Sequence, residues 1–275
     1  MIVFPNAKIN LGLDIIEKRK DGFHTIESVF YPIGLSDVLE VIESKVGTKS
    51  KIQFKSSGIA IPGKDGENLC VKAYNLLCIA YDLPPVHIHL HKIIPVGAGL
   101  GGGSSDAAFF LKAINNLFQL HLSFGELHHY ARELGSDCSF FISNQAVFAE
   151  GKGDEMEHVK LSLAGKYLVL IKPEIHISTQ EAYAQVKPRK PKKSLEELIF
   201  LPLTSWKDKI HNQFEETVFS NHPEIKKIKE KLYESGAEYA AMSGSGSSVF
   251  GIFSSPLELK QQFEKCFVWE EMLKW

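Results

Sequence analysis

Apolar and polar residues alternate along the first stretch of the chain. Ala7, Ile9, Leu11, Leu13 and Ile15 fall on one face, and Lys8, Asn10, Gly12 and Asp14 on the other. A period of two marks a strand with one buried face, so a half-buried strand is expected here. "DVLEVIES", "KIQFKSS" and "VHIHLHK" also read as strands. "NLCVKAYNLLCIAY" carries Leu69, Ala73, Leu76, Leu77 and Ala80 at helical spacing, and "SSDAAFFLKAINNLF" does the same with Ala108, Leu111, Ile114 and Phe118. Ser123 and Glu126 form a capping-box pattern ahead of Leu127, Tyr130, Ala131 and Leu134.

The second half changes character. "AVFAEGKGDEMEHV" predicts a strand, a turn and a further extended piece, and "KYLVLIKP" a strand. Ser178 to Glu181 fits a capping box before a short helix. "KPRKPKKS" is expected to be an exposed loop rather than a nucleic-acid patch. Helical stripes follow at Trp206, Ile210, Phe214 and Val218, then at Ile225, Ile228 and Leu232. "EYAAMSGSGSSVFGIF" reads as two short strands around a glycine turn, and "PLELKQQFEKCF" as a closing helix. A soft domain boundary is expected between about 150 and 165, placed at 158.

Composition narrows the class. A chain of 275 residues with 44% hydrophobic and 23% charged residues is that of a globular protein with room for two domains. A net charge of −2 argues against nucleic-acid binding by bulk charge. The absence of a long apolar run argues against a membrane span, and the N-terminus has no secretion-signal pattern. Cys70, Cys78, Cys138 and Cys266 show neither a CxxC pair nor metal spacing, which fits free thiols in the cytoplasm.

The candidate chemistry centres on "PVGAGLGGGSSDAA", residues 95 to 108, where five of fourteen residues are glycine. Glycine weakens a fold through backbone entropy, so so many in a row call for a reason. Gly97, Gly99 and Gly102 formally match a dinucleotide fingerprint. That motif needs a strand after its helix, ending in an acidic residue, and here the following "HLSFGELHHYARELG" reads as a second helix. The Walker-type phosphate loop needs a lysine after its last glycine, and Gly103 is followed by Ser104 and Ser105. What remains is the physics: backbone N–H groups from Gly99 to Ser105, with the start of a helix near Ser104, turned around a phosphate chain. The two hydroxyls can reach phosphate oxygens, and Ser105 can reach Mg2+.

This stretch resembles the ATP-binding motif of the GHMP kinases. Two further family motifs have counterparts in "PNAKINLGL" near the N-terminus and "MSGSGSSVFGIF" near the end. The resemblance implies a two-domain α+β fold, with an N-terminal ATP-binding domain over 1–158 and a ferredoxin-like C-terminal domain over 159–275. It implies phosphoryl transfer from ATP, with Mg2+, to an alcohol, the nucleotide being held by Pro95, Val96, Gly97, Ala98, Gly99, Leu100, Gly101, Gly102, Gly103, Ser104 and Ser105. Asn68 and Lys92 resemble positions near the adenosine. "AKINLGLDIIEKRKDGFHTIESVF" and "GSDCSFF" are most similar to the branch whose substrate is a cytidine-diphosphate-linked methylerythritol. The homoserine and mevalonate branches are the rivals, and a nucleotide-binding protein without turnover is the alternative from another class.

By the same resemblance Lys8 and Asp137 match the catalytic lysine and aspartate. The lysine would hold the aspartate ionised, and the aspartate would orient or deprotonate the attacking hydroxyl. Asn10 matches a substrate-binding asparagine. Phe23 and His24 match a Tyr-His pair beside the cytosine, with Tyr183 stacking from the other side and Thr179 nearby. Gly244, Ser245 and Gly246 match a turn that packs on the phosphate loop. Two departures stand out. Asp106 replaces an asparagine, which suggests a greater dependence on Mg2+, and Cys138-Ser139 replaces Val-Pro. His87, His89 and His91 share one strand face, where a solvated polar face is expected rather than a metal site. A monomer or weak homodimer, with no nucleic-acid or membrane partner, completes the expectation.

Overall fold

Strands and helices of similar weight alternate through the chain. The computed structural model describes residues 1–44 and 51–275. Its strands are β1 Ile2–Val3, β2 Asn6–Lys18, β3 His24–Ser36, β4 Val38–Glu43, β5 Ile52–Gly58, β6 Val86–Lys92, β7 Val147–Glu150, β8 Glu155–His158, β9 Tyr167–Pro173, β10 Tyr239–Met242, β11 Val249–Phe253 and β12 Cys266–Met272. Its helices are α1 Leu69–Ala80, α2 Gly102–Leu117, α3 Phe124–Leu134, α4 Phe140–Ser143, α5 Thr179–Ala184, α6 Leu195–Leu198, α7 Phe214–Asn221 and α8 Pro223–Glu234.

The chain divides into two compact units, each discontinuous in sequence. The first comprises Met1–Ala7, Leu35–Val96 and Gly101–Asn144; the second comprises Lys8–Gly34, Gly97–Leu100 and Gln145–Trp275. A single cut near residue 158 does not describe this division. The middle of β3 pairs with β7, Ser28 opposite Ala149 and Phe30 opposite Val147, which draws the early hairpin to the later residues.

In the first unit a four-stranded sheet runs β1-β4-β6-β5. β6 is antiparallel to β4 and parallel to β5. Along β6, Val86, Ile88 and Leu90 are buried and alternate with the three histidines, as the sequence pattern requires. Helices α1 and α2 pack together. α3 starts at the expected capping box, with Ser123 Oγ accepting the Glu126 N–H and Glu126 bonding back to the Ser123 N–H.

The second unit holds the sheets β2-β3-β7-β8 and β10-β11-β9-β12. The latter is antiparallel throughout. α8 packs on β10 and β11, over a core that includes Val169, Ile171, Phe214, Ile225, Leu232 and Met242. A four-stranded antiparallel sheet with helices on one face is the ferredoxin-like layout expected for the C-terminal part.

Three expectations are corrected. β2 is not half-buried: residues 6 to 13 are buried on both faces, Lys8 and Asn10 included. Trp206 and Phe214 do not share a helix. Between them the chain extends beside β2, the Leu13 N–H donating to the His211 carbonyl and the Gln213 N–H to the Leu13 carbonyl at 2.9 and 2.8 Å. This leaves Trp206 in a short 3-10 helix, Leu203–Asp208. Finally, "PLELKQQFEKCF" makes one 3-10 turn, Lys260–Phe263, and then enters β12 on the edge of the sheet.

Candidate active site

The glycine loop is built from alternating left-handed residues. Gly97, Gly99 and Gly101 have φ of +63°, +77° and +69°, a region closed to most side chains. Gly101 is the N-cap of α2, so the helix begins at Gly102, slightly earlier than expected. The first N–H groups of a helix have no partner inside it, and here they belong to Gly102, Gly103 and Ser104. The positive end of the helix dipole lies at the same place.

The glycines of this loop are there for two different reasons. In the second unit, a Cβ on Gly99 would lie 2.0 Å from the carbonyl oxygen of Ser243, and one on Gly97 would lie 2.8 Å from the His176 ring. In the first unit, a Cβ on Gly102 would meet the Lys92 ammonium at 2.9 Å. Those three are required by their own surroundings. Gly103 is not. It is exposed, has ordinary helical backbone, and a Cβ there would touch only the Leu69 side chain at 3.9 Å. Nothing inside the chain requires it to be bare.

The late glycine turn closes on the loop within the second unit. Ser243 Oγ donates to the Gly99 carbonyl at 2.9 Å and accepts the Asn10 backbone N–H at 3.2 Å. The Ser248 N–H reaches the Ala98 carbonyl at 3.4 Å. A Cβ on Gly244 would lie 3.3 Å from both Asn10 Oδ1 and Gly99 Cα. Asn212 ties down the back of the turn, donating to the Met242 and Gly244 carbonyls at 2.7 and 2.8 Å. Ser245 is the partly exposed residue of the turn.

Lys8 joins this group. Its backbone N–H donates to the Leu100 carbonyl at 3.0 Å. Its buried ammonium donates to Asn10 Oδ1 at 2.7 Å and lies 4.7 Å from the centre of the Phe30 ring. Asn10 in turn donates to Ser28 Oγ at 2.8 Å. An ammonium and an amide are thus held rigidly beside the loop segment Gly97–Leu100. In the first unit, Asp137 sits half-exposed in the 3-10 turn Ser136–Cys138 between α3 and α4. It does not cap a helix. Its neighbour Cys138 is buried, which pushes the thiol up to about 11 although Ser104 donates a compensating hydrogen bond, so a thiolate has no part here.

The aromatic residues are arranged differently from the expected sandwich. Phe23 is 59% exposed, with the Lys152 ammonium 5.1 Å from its ring centre. It is no core residue. His24 and Tyr183 stack directly on each other, 4.6 Å between centroids and 19° between planes, and the edge of Tyr183 meets Phe214 at 4.7 Å. A base cannot lie between rings already at stacking distance. It can stack on an outer face, or part the pair. Thr179 is exposed at the start of α5, where Ser178 caps the helix by accepting the Glu181 N–H.

Asn68 caps α1, its Oδ1 accepting the Cys70 N–H at 2.9 Å. Lys92 is buried between two carboxylates, 2.5 Å from Asp37 Oδ2 and 2.7 Å from Asp106 Oδ2. Burial alone would pull this lysine down, but the two carboxylates outweigh it and its pKa stands above the ordinary value. Burial pushes Asp106 up to about 7, Lys92 pulling it back and Asp37 adding to the rise. The buried, lysine-bound Asp106 therefore does not face phosphates, and the reason for expecting a greater Mg2+ dependence disappears. Ser105 is also fully buried, with no partner for its Oγ. Among the described residues no cluster of His, Cys, Asp and Glu could hold a metal. His89 and His91 bond instead to Ser57 Oγ, each at 2.9 Å. All four cysteines are free, and among the described residues no helix is long and apolar enough to cross a membrane.

Asp37 was not foreseen. In "LSDVLEV" an aspartate before a strand reads as a turn residue, and only its complete burial reveals it.

Comparison with known proteins agrees with the geometry. The family model of the GHMP kinases N-terminal domain matches residues 68–152, and that of the GHMP kinases C-terminal region matches residues 193–267. A 4-diphosphocytidyl-2-C-methyl-D-erythritol kinase of Bacteroides fragilis is 53% identical over the whole of both chains. One of Parabacteroides distasonis is 51% identical over 99% of this chain and all of that one. A crystal structure of 4-(cytidine 5'-diphospho)-2C-methyl-D-erythritol kinase superposes with a TM-score of 0.84 at 30% identity, covering 98% of each chain. With its bare helix start, its two glycine turns and these relatives, the chain belongs to the GHMP kinase family, whose two-domain α+β fold it shares, and within that family to the 4-diphosphocytidyl-2-C-methyl-D-erythritol kinases.

Proposed function

We propose that this chain transfers the γ-phosphoryl group of ATP to the 2-hydroxyl of 4-diphosphocytidyl-2-C-methyl-D-erythritol, a step of the non-mevalonate route to isoprenoid precursors. The observation that carries the reading is Gly103. The second residue of α2 is an exposed glycine that nothing in the fold requires, with spare N–H groups and the positive dipole end beside it. Phosphate oxygens are the acceptors such a place suits. Relatives named for this kinase at about half identity choose the substrate.

The reacting groups follow from that reading. Asp137 orients the attacking hydroxyl and takes its proton as the new O–P bond forms and the bond from the γ-phosphorus to the bridging oxygen breaks, releasing ADP. Lys8, fixed by Asn10 and Phe30, supplies positive charge to the transfer. Most of the acceleration comes from positioning and charge stabilisation rather than from bond chemistry by the protein. Phe23, His24 and Tyr183 offer ring faces to the cytosine, beside Thr179 and the turn Gly244–Gly246. Asn68 lies toward the adenosine, and Lys92 contributes through the loop. Mg2+ bound with the nucleotide would neutralise phosphate charge, and the unpartnered Ser105 hydroxyl at the helix start is the protein group that would reach it. The protein acts in the cytoplasm as a monomer or weak homodimer.

ADP release measured with three alcohols tests the reading: the cytidyl substrate, homoserine and mevalonate. Turnover is expected with the first alone. Asp137→Asn is expected to lower kcat by about 100-fold or more, with the ATP KM changed little. Equal turnover of all three alcohols defeats the substrate assignment, and near-normal turnover by Asp137→Asn defeats the catalytic one.

A further inference from the structure

Asp37, Lys92 and Asp106 form a closed, buried cluster in the first unit, and the nucleotide loop leaves from it and returns to it. Asp37 precedes β4. Its Oδ1 accepts the backbone N–H groups of Ile93 and Ile94 at 2.5 and 2.8 Å. Those are the residues through which the chain leaves β6 for Pro95 and the loop. Its Oδ2 accepts from the Lys92 ammonium at 2.5 Å. That ammonium also donates to Asp106 Oδ2 at 2.7 Å, and Asp106 lies in the second turn of α2. The ammonium occupies the space that a side chain on Gly102, the first residue of α2, would fill. One carboxylate thus grips the departing strand by two main-chain bonds and the returning helix through a lysine.

The charge count sharpens the point. One ammonium and two carboxylates are all nearly or fully out of solvent. A design for stability alone would use a single pair, or none, because removing charges from water is expensive. Asp106 Oδ1 is buried with no partner. An excess acid group is kept at the root of the loop, where a purely apolar core would pack as well.

Resting on the kinase reading above, we infer that Asp37 is a positioning residue for nucleotide binding: through Lys92 and Asp106 it fixes the distance and orientation between the two ends of the glycine loop, so that the N–H groups of Gly102, Gly103 and Ser104 stand ready for phosphate. None of the three side chains needs to touch the nucleotide for this. A loop of five glycines has little stiffness of its own, so its geometry is set by its anchors. Small misplacement of groups that bind in a transition state is costly.

The test compares Asp37→Asn with the wild-type chain. Asparagine keeps an oxygen for the Ile93 and Ile94 N–H groups and leaves Lys92 paired with Asp106, but turns an amide N–H2 toward the ammonium. ADP affinity is measured by calorimetry, which requires no alcohol. Steady-state KM is then measured for ATP and for the cytidyl alcohol. Asp37→Asn is expected to weaken ADP and raise the ATP KM by roughly tenfold, with the alcohol KM within about twofold. ADP affinity within twofold of wild type overturns the inference, as does an equal rise in both KM values, the mark of general loosening.

Should Asp37→Asn not fold, Asp106 gives the second arm. Asp106→Ala leaves a balanced Asp37–Lys92 pair and cuts the link to α2, so ADP is expected to weaken. Asp106→Asn restores an acceptor for Lys92 and is expected to recover most of the loss. Wild-type ADP affinity in Asp106→Ala, or no recovery in Asp106→Asn, overturns the inference. A wild-type chain that binds ADP but does not phosphorylate the cytidyl alcohol would refute the substrate assignment and leave the inference standing.

Discussion

Two glycines occupy the same place in two helices of one unit, and the proposed function gives a use to only one of them. Gly103 is the second residue of α2, and Gly125 is the second residue of α3. Neither has a left-handed backbone. A side chain at Gly125 would meet nothing within 4 Å, and one at Gly103 would meet only Leu69 at 3.9 Å. By the fold's own requirements, alanine would do better at both, by about 1 kcal/mol in helix propensity. What separates them is the neighbourhood. α3 starts with a serine cap and a glutamate that take up the Glu126 and Ser123 N–H groups and place a carboxylate at the helix start. α2 starts with a glycine, which leaves its N–H groups unclaimed by any side-chain cap. A helix start left open, on a residue with no internal reason to be bare, is what the proposed phosphate site needs. A helix start that is capped is only a helix start.

Gly99 supplies the opposite extreme and the largest predicted effect. Gly99→Ala would press a methyl carbon into the Ser243 carbonyl, at a φ of +77°. A loss on the order of 3 kcal/mol or more is expected, visible as a large fall in Tm. A Tm near that of the wild type would show that the loop is free to move away from the late turn, and would erase the distinction between internally and externally required glycines. Gly103→Ala comes next. Its Tm is expected to hold or rise, while the ATP KM rises on the order of tenfold, about 1.4 kcal/mol. An unchanged ATP KM would break the comparison at its centre. Gly125→Ala is the smallest effect: a gain of about 0.5–1 kcal/mol in stability with both KM values unchanged. A shift in ATP KM there would mean that α3 also takes part.

These contrasts show what was legible beforehand. The glycine run, the late turn and the Lys8-Asn10 strand were visible because their residue types are unusual for their surroundings. β6 and α3 were visible because one face of each is buried and one is not. β3 gives no strand signal, since its central residues are buried on both faces and their pattern loses its alternation. β12 was missed because it is a partly exposed edge strand, where apolar and polar residues mix without a strong period. Asp37 gave no signal at all. A carboxylate at a turn is ordinary, and its complete burial depends on Lys92 and Asp106, more than fifty positions away. The stacking of His24 on Tyr183 was hidden likewise, because spacing along a chain can suggest that two rings face a ligand but not that they face each other.

The bond between the Asn10 main chain and Ser243 spans 233 positions. Until that serine has been synthesised, the segment that carries Lys8 has no final neighbour on that side. Contacts so remote in sequence close slowly, and a nascent chain must keep an early, apolar strand from straying while the remainder is made. The segment that bears Lys8 thereby cannot take up its full set of native bonds before residue 243 is in place.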